Sequence, residues 1–195
     1  MGLLILVAGL ALFLGMHATR IPDDQRRSGM IARLGKGKYR GIYTAVSILG
    51  LVLIVYGYGQ ARLDPVFVWN PPAAMRHIAA LLMLVSFVML AACYVPSNHI
   101  KAKLQHPMTL AVKVWALAHL LANGTLADII LFGSFLVWAV LLFKTARRRA
   151  IPMGFAGDGP TKVGTLMTVV VGVLAWLVFA AWLHVHLIGI SPFSR

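Results

Sequence analysis

Apolar residues along the chain fall into six long blocks, which cover residues 2–19, 39–61, 73–94, 107–123, 125–144 and 162–188. Each block is close to the roughly 20 residues that an α-helix needs to cross the hydrocarbon core of a membrane. No strand-like alternation, heptad repeat or long Gly/Ser linker interrupts the pattern. The sequence therefore predicts an all-α fold, a polytopic bundle of about six transmembrane helices forming a single domain over residues 1–195.

Composition agrees with a lipid environment and limits the possible metal chemistry. Hydrophobic residues make up 60% of the chain, against about 45–50% in soluble domains. The chain has one cysteine, Cys93, so it can form neither an intramolecular disulfide nor a cage of several thiolate ligands. Any metal ion must therefore be bound through histidine or oxygen.

The net charge of +13 is concentrated in alternate loops. Because positively charged loops stay in the cytoplasm, loops 20–40, 95–105 and 144–162 are predicted to be cytoplasmic and both termini external. This distribution favours contacts with anionic lipid head groups over nucleic-acid binding. The basic residues of these loops are Arg20, Arg26, Arg27, Arg33, Lys36, Lys38, Arg40, Lys101, Lys103, Lys144, Arg147, Arg148, Arg149 and Lys162, and those on the opposite side are Arg62, Arg76 and Arg195.

The connection between the fourth and fifth blocks is only Asn123-Gly124-Thr125. A turn this short predicts that the two helices are antiparallel neighbours, with Gly124 available for a positive φ angle. Just after the turn, Asp128 is the only acidic residue inside a predicted span. It is expected either to cap the start of the helix or to orient an imidazole.

The histidines separate by predicted depth. At about 1.5 Å per residue of helix, His17 and His106 lie towards the cytoplasmic face, His77 lies towards the outer face, and His119 is near the middle of the membrane. Ionisable groups at membrane depth are costly and are usually retained for a task. The fourth block, which contains His119 and Lys113, is therefore the segment most expected to carry function.

Helical spacing gives His119 a distinctive neighbourhood. At about 100° per residue, Trp115, His119 and Asn123 share one face of the fourth helix. An imidazole beside an aromatic ring suits a porphyrin pocket, but it equally suits an ordinary hydrogen bond between helices. Spacing alone leaves both interpretations open.

A glycine surface on the second block also has two interpretations. Gly50, Gly57 and Gly59 can admit an apolar polyene from the membrane, or they can allow close packing of another helix. Close packing is the preferred interpretation.

Several strings resemble one family. The segments YRGIYTAVSILGLVLIVYGY, RHIAALLML, HPMTLAVKVWALAHLLANGTLADIILFGSF and HLIGISP look like the NnrU family of bacterial membrane proteins. That family is associated with nitrite and nitric oxide respiration. It is similar to plant 15-cis-ζ-carotene isomerase, a membrane enzyme that uses haem b. The resemblance implies a multi-pass protein of the bacterial inner membrane.

The plant enzyme has an H-P motif and a W-C-L-A-H motif at the spacing that separates His106 from His119. It also has a histidine at the end of its first conserved helix. By this resemblance, His119 and His17 are the candidate iron ligands and His106 is a supporting residue. Trp115 and Asn123, which share the face of His119, are further cofactor-binding candidates. His77 is the alternative partner of His119, because its predicted depth matches better. Ala116 replaces the cysteine of the plant motif, so a sulfur ligand there is excluded.

The resemblance leaves the function open between several classes. The protein is expected to be a haem b protein of nitrite and nitric oxide respiration, with a respiratory enzyme as partner. Alternatives are a haem-dependent isomerase acting on a polyene and a haem-handling assembly factor. A methyltransferase using S-adenosylmethionine is less favoured, because Gln105 stands where the R-H-P motif of the isoprenylcysteine carboxyl methyltransferases has arginine, and because the chain contains no glutamate.

Overall fold

The computed structural model describes residues 1–19, 24–148 and 159–193. This part of the chain is helical and contains no β-strand, so the predicted all-α class is confirmed. A π-helical turn, Phe179–Leu183, lies within the last helix. The helices are α1 (Gly2–Ala18), α2 (Asp24–Leu34), α3 (Lys36–Ala61), α4 (Ala74–Tyr94), α5 (His99–Leu104), α6 (Pro107–Ala122), α7 (Leu126–Ala146) and α8 (Lys162–Ile188).

Four of these helices, α3, α4, α7 and α8, are long and apolar enough to cross a membrane. Helix α1 has 17 residues and α6 has 16. At about 1.5 Å per residue these two helices are roughly 25 Å long, against about 30 Å for the hydrocarbon core. The structure thus supports four candidate spans and two shorter apolar helices, not six full-length spans.

The polar loops contain helix that the hydrophobic pattern did not predict. Helix α2 and the first turn of α3 occupy much of loop 20–40, and Gly35, at a φ of 78°, separates them. Helix α5 fills most of loop 95–105. Residues 20–23, 149–158 and 194–195, which include Arg20, Arg149 and Arg195 of the topology prediction, lie outside the described residues.

The helices form two compact units. The first unit is Met1–Asn70 with Asn123–Ala146, and it contains α1, α2, α3 and α7. The second unit is Pro71–Ala122 with Arg147–Arg195, and it contains α4, α5, α6 and α8. The expectation of a single transmembrane domain stays a prediction.

In the first unit, α1 and α3 pack backbone to backbone in antiparallel directions. A Cβ atom on Gly9 would lie 2.6 Å from the backbone nitrogen of Ile54, and one on Gly50 would lie 2.8 Å from that of Phe13. Gly57 packs in the same way against Leu6. The preferred interpretation of Gly50 and Gly57 as packing residues is therefore confirmed.

The grouping of Gly59 with these two glycines is wrong. A Cβ atom on Gly59 would meet no atom of another helix within 4 Å in the described part of the chain. Two residues correspond to about 200° around a helix, so Gly59 cannot share the face of Gly57.

The short turn at Gly124 is held by the loop that follows α3. The backbone N–H of Val68 donates to the Gly124 carbonyl at 2.9 Å, and Leu126 donates to the Val66 carbonyl at 2.8 Å. The expectation of a positive φ angle at Gly124 is wrong. Glycine is needed there because the carbonyl group of Trp69 occupies the place of a Cβ atom.

In the second unit, α4 packs against both α6 and α8. The Ser86 hydroxyl of α4 donates to the Ala111 carbonyl of α6 at 2.8 Å. On the other side, Gly172 of α8 lies against the backbone of Val88. Buried Asn98 caps α5 by accepting from the backbone N–H of Lys101 at 2.7 Å. These contacts fix the three helices around a core of small residues.

Candidate functional site

His17 lies in the last turn of α1 with a defined ring orientation. Its Nδ1 is 2.7 Å from the carbonyl oxygen of Phe13, one turn earlier in the helix. Because a carbonyl can only accept, Nδ1 must carry the proton, which leaves the lone pair on Nε2. Within the described residues Nε2 makes no hydrogen bond. This is the arrangement in which histidine binds a metal ion through Nε2.

Aromatic rings surround this imidazole. Phe13 stacks on it at 4.3 Å between ring centroids, and Tyr43 of α3 lies at 5.3 Å. Trp138 of α7 presents its edge at 6.3 Å. Phe135 packs against both Phe13 and Trp138, at 5.9 and 6.5 Å. Three helices thus build an apolar, flat-sided environment around one ring nitrogen.

The imidazole also borders a cavity of about 360 Å³. The cavity is open on one side, and its volume is within the range of about 300–1,000 Å³ that is usual for small-molecule sites. The residues that line it differ in exposure: Tyr39 is buried, whereas Arg40 and Thr44 are exposed. The lining residues are Met16, His17, Thr19, Tyr39, Arg40, Tyr43 and Thr44.

Two buried polar atoms of this unit have no hydrogen-bond partner among the described residues. They are Nε1 of Trp138 and Oγ of Ser47. An unpaired buried donor costs about 1–3 kcal/mol, so such atoms often mark a place where a ligand or water completes the structure. Trp138 is the one of the two that contacts His17.

His119, in the second unit, repeats the backbone arrangement of His17. Its Nδ1 is 2.9 Å from the carbonyl oxygen of Trp115, again one turn earlier, and the two rings are 5.3 Å apart. The neighbouring Ala116 and Ala118 are fully buried. Helix α6 ends at Ala122, so Asn123 is the first residue after the helix, and its place on this face stays a prediction.

His106 and His77 occupy different positions in the second unit. His106 precedes α6, and its carbonyl accepts from the backbone N–H of Leu110 at 3.2 Å, which starts the helix. Thirteen residues of helix separate His106 from His119, or about 20 Å, so the two cannot bind one iron ion. His77 lies in the first turns of α4 and is exposed.

Nine residues, or about 180° around a helix, separate His77 from Ser86. Ser86 contacts α6, so His77 is on the face of α4 that points away from α6 and His119. Because His17 belongs to the first unit, neither candidate partner is placed beside His119 within the second.

A buried carboxylate of the first unit, that of Asp128, is held by a residue of α3 and a residue that directly precedes α7. Asp128 is 5% exposed and accepts from both the hydroxyl and the backbone N–H of Thr125, at 2.6 and 3.1 Å. Its other carboxylate oxygen accepts from the hydroxyl of Tyr58 at 2.5 Å. The T-x-x-D spacing reveals the cap in the sequence. Nothing in the sequence pairs Tyr58 with Asp128, since they are 70 residues apart.

No group of three or more His, Cys, Asp or Glu side chains that would hold a bare metal ion occurs in the described part of the chain. His184 and His186 each direct Nδ1 to a backbone carbonyl, those of Ile190 and Trp182. Neither is directed at the other, as their spacing predicts.

Comparison with known proteins gives one match. A family model described as NnrU protein matches residues 5–192, which is nearly the whole chain. No curated protein and no solved structure matches. The chain belongs to this family, since the match covers far more than half of its length.

Proposed function

Because the chain belongs to the NnrU family, we propose that it is an integral membrane protein that binds haem b and serves nitrite and nitric oxide respiration. His17 and His119 are the proposed iron ligands. The inner membrane, with both termini in the periplasm, is the proposed location, because the basic residues cluster in alternate loops.

The geometry at His17 is the observation that carries the proposal. A haem ligand needs a fixed ring, a lone pair on the nitrogen that faces the iron, and flat apolar surface for the macrocycle. At His17 the Phe13 carbonyl fixes the ring and its tautomer. Tyr43 and Trp138 supply aromatic surface around it. The open cavity gives a flat molecule a route to the ring.

His119 supports the proposal because it has the same hydrogen bond to the carbonyl four residues earlier. The ring of Trp115 lies 5.3 Å from its imidazole and supplies aromatic surface beside it. His77 is a weaker partner, since it is exposed on the face of α4 opposite Ser86. Ala116 offers no sulfur, so the proposed ligand set is two imidazoles.

The residues present fit a haem group. Bound haem supplies an iron ion that changes oxidation state and binds small molecules such as nitric oxide. The chain itself holds the imidazoles in one tautomer, excludes water with the rings of Phe13 and Trp138, and offers the buried Nε1 of Trp138 as a hydrogen-bond donor. A dry, aromatic environment of this kind is a main means by which a protein tunes haem.

A haem-handling assembly factor is the second candidate. The cavity beside His17 is open, which suits a cofactor that enters and leaves. A polyene isomerase receives less support, because the glycine surface at Gly50 and Gly57 is filled by α1 and offers no groove for a long apolar substrate. Methyl transfer receives less support, because no carboxylate among the described residues lines the cavity.

Absorption spectra of the purified protein, oxidised and reduced, test the proposal. We expect a six-coordinate low-spin spectrum in the wild type and a five-coordinate one in His17→Ala and His119→Ala. His186→Ala is the matched control, because His186 has the same type of backbone hydrogen bond but lies in no cavity of the proposal. A wild-type protein that binds no haem after reconstitution would refute the proposed function.

A further inference from the structure

Among the residues that the structure describes, the lining of the cavity beside His17 contains one charged residue, Arg40. Arg40 and Thr44 are one helical turn apart on α3 and are both exposed, so they form the outer edge of the cavity. Tyr39 and Tyr43 form the adjacent row, and they are buried and half-buried. The cavity is therefore aromatic at its inner side and cationic at its outer side.

The position of Arg40 along α3 matches the end of the helix pair at which His17 lies. Arg40 is the fifth residue of α3, and His17 is the last but one residue of α1. Because the two helices are antiparallel, the end of α1 and the start of α3 are at the same end of the pair. A ligand reaching His17 through the open side of the cavity passes Arg40.

A ligand suited to this cavity has a flat apolar body with a carboxylate on one edge. The guanidinium group of arginine binds carboxylates with two parallel hydrogen bonds, and this geometry is specific for planar anions. Haem b has this form, with its two propionates on one side of the ring. A carboxylate directed the other way would have to enter the lipid without a partner, which is costly.

We infer that Arg40 binds a haem propionate at the mouth of the cavity and thereby sets the direction in which haem enters towards His17. This inference rests on the proposed function, since it requires haem to bind at His17. The proposed function names the residues that bind the iron ion, and the inference adds the residue that binds the carboxylate edge of the ring.

The test compares haem b with its dimethyl ester, in which both propionates are neutral. Dissociation constants are measured by absorption titration of the purified apoprotein in detergent. We expect the wild type to bind haem at least about 10-fold more tightly than the ester, as is usual for hydrogen bonds to charged groups. This comparison needs no substitution, so a folding defect cannot affect it.

The same two ligands are then titrated into the variant Arg40→Gln. It should bind haem and the ester with equal affinity and keep the wild-type Soret position, because ligation by His17 is unchanged. Arg40→Lys should recover part of the preference for haem over the ester. Lys38→Gln removes a charge two residues away that does not line the cavity, and it should keep the full preference.

The two proposals fail in different ways. If the wild type binds neither haem nor the ester, the proposed function fails and the inference fails with it. If it binds both equally, or if Arg40→Gln keeps the preference for haem, haem binding stands and only the role of Arg40 is refuted. If Lys38→Gln and Arg40→Gln lose the preference for haem over the ester equally, the role of Arg40 is also refuted, because the effect then comes from charge in general.

Discussion

The hydroxyl of Tyr58 donates a hydrogen bond of 2.5 Å to Oδ1 of Asp128 and so ties α3 to the start of α7. Asp128 is buried, and its second oxygen is bound by Thr125. A carboxylate in an apolar bundle is tolerated when its oxygens are satisfied. Here one acid both caps a helix and joins it to another, which makes it a structural residue of the first unit.

Removing this bond should lower stability by a modest amount. Tyr58→Phe loses one hydrogen bond, and such bonds between membrane helices contribute about 0.6 kcal/mol on average and about 1.7 kcal/mol at most. Asp128→Ala should cost more, about 1–3 kcal/mol, because it removes the cap and leaves the Tyr58 hydroxyl unpaired. Denaturant unfolding in detergent measures both, with exposed Tyr56→Phe as the control. Equal stability of Tyr58→Phe and Tyr56→Phe would contradict the prediction.

The glycine contacts between α1 and α3 predict a sharp difference between neighbouring positions. Gly57→Ala places a methyl group against the backbone of Leu6, so the helices must separate, at a cost of about 1–3 kcal/mol. Gly59→Ala meets open space and should leave stability unchanged or raise it slightly, because alanine favours helix. Thermal unfolding of the two variants under identical conditions decides the matter. A destabilised Gly59→Ala would show that the contact face is assigned incorrectly.

Stacking on His17 should affect haem affinity without changing ligation. Phe13→Leu keeps the backbone carbonyl that holds Nδ1 but loses the ring at 4.3 Å. Aromatic pairs contribute about 0.5–1.5 kcal/mol, so haem binding should weaken by roughly 2- to 10-fold. Phe87→Leu, which alters a phenylalanine with no ring contact to His17, should have no effect. A five-coordinate spectrum in Phe13→Leu would mean that the ring, rather than the carbonyl, orients the imidazole.

Membrane topology follows from the positions of the basic residues. Reporter fusions after Lys36 and after Arg149 should behave as cytoplasmic, and a fusion after Arg195 as periplasmic, because positive loops are retained inside. Paired alkaline phosphatase and fluorescent-protein fusions measure this directly. A cytoplasmic C-terminus would mean that α1 or α6, the two shorter apolar helices, does not span.

Cells that lack the protein separate a respiratory role from an enzymatic one. We expect loss of nitrite or nitric oxide reductase activity in these cells, restored by the wild-type gene and by His186→Ala but not by His119→Ala. In parallel, the reduced, haem-loaded protein is supplied with a cis-polyene, and no turnover is expected. Turnover that depends on His119 would establish the isomerase alternative instead.

How much of the site was predictable differs between the two histidines. For His119 and Trp115, a four-residue spacing on one helix is local, so the sequence alone places the two rings together, and the structure has them 5.3 Å apart. The place of Asn123 on the same face stays a prediction, because the helix ends one residue before it. For His17, only the contact with Phe13 is local. Tyr43 and Trp138 come from helices far along the chain, and no periodicity relates them to His17.

The sequence by itself determined the class of the protein, because long apolar blocks leave the backbone no economical choice in lipid except helix. It also determined the positions of the histidines along their helices, and it offered the cap at Asp128 as one of two interpretations, because both depend on residues within one or two turns. The tertiary structure decided which faces meet. Gly57 packs against α1, while Gly59 does not. Gly124 is required because the carbonyl group of Trp69 lies against it, and its φ angle is not positive. Arg40 lines the same cavity as His17. These relationships depend on helix register and rotation, which are set by close packing between distant segments and leave no periodic signal in the chain.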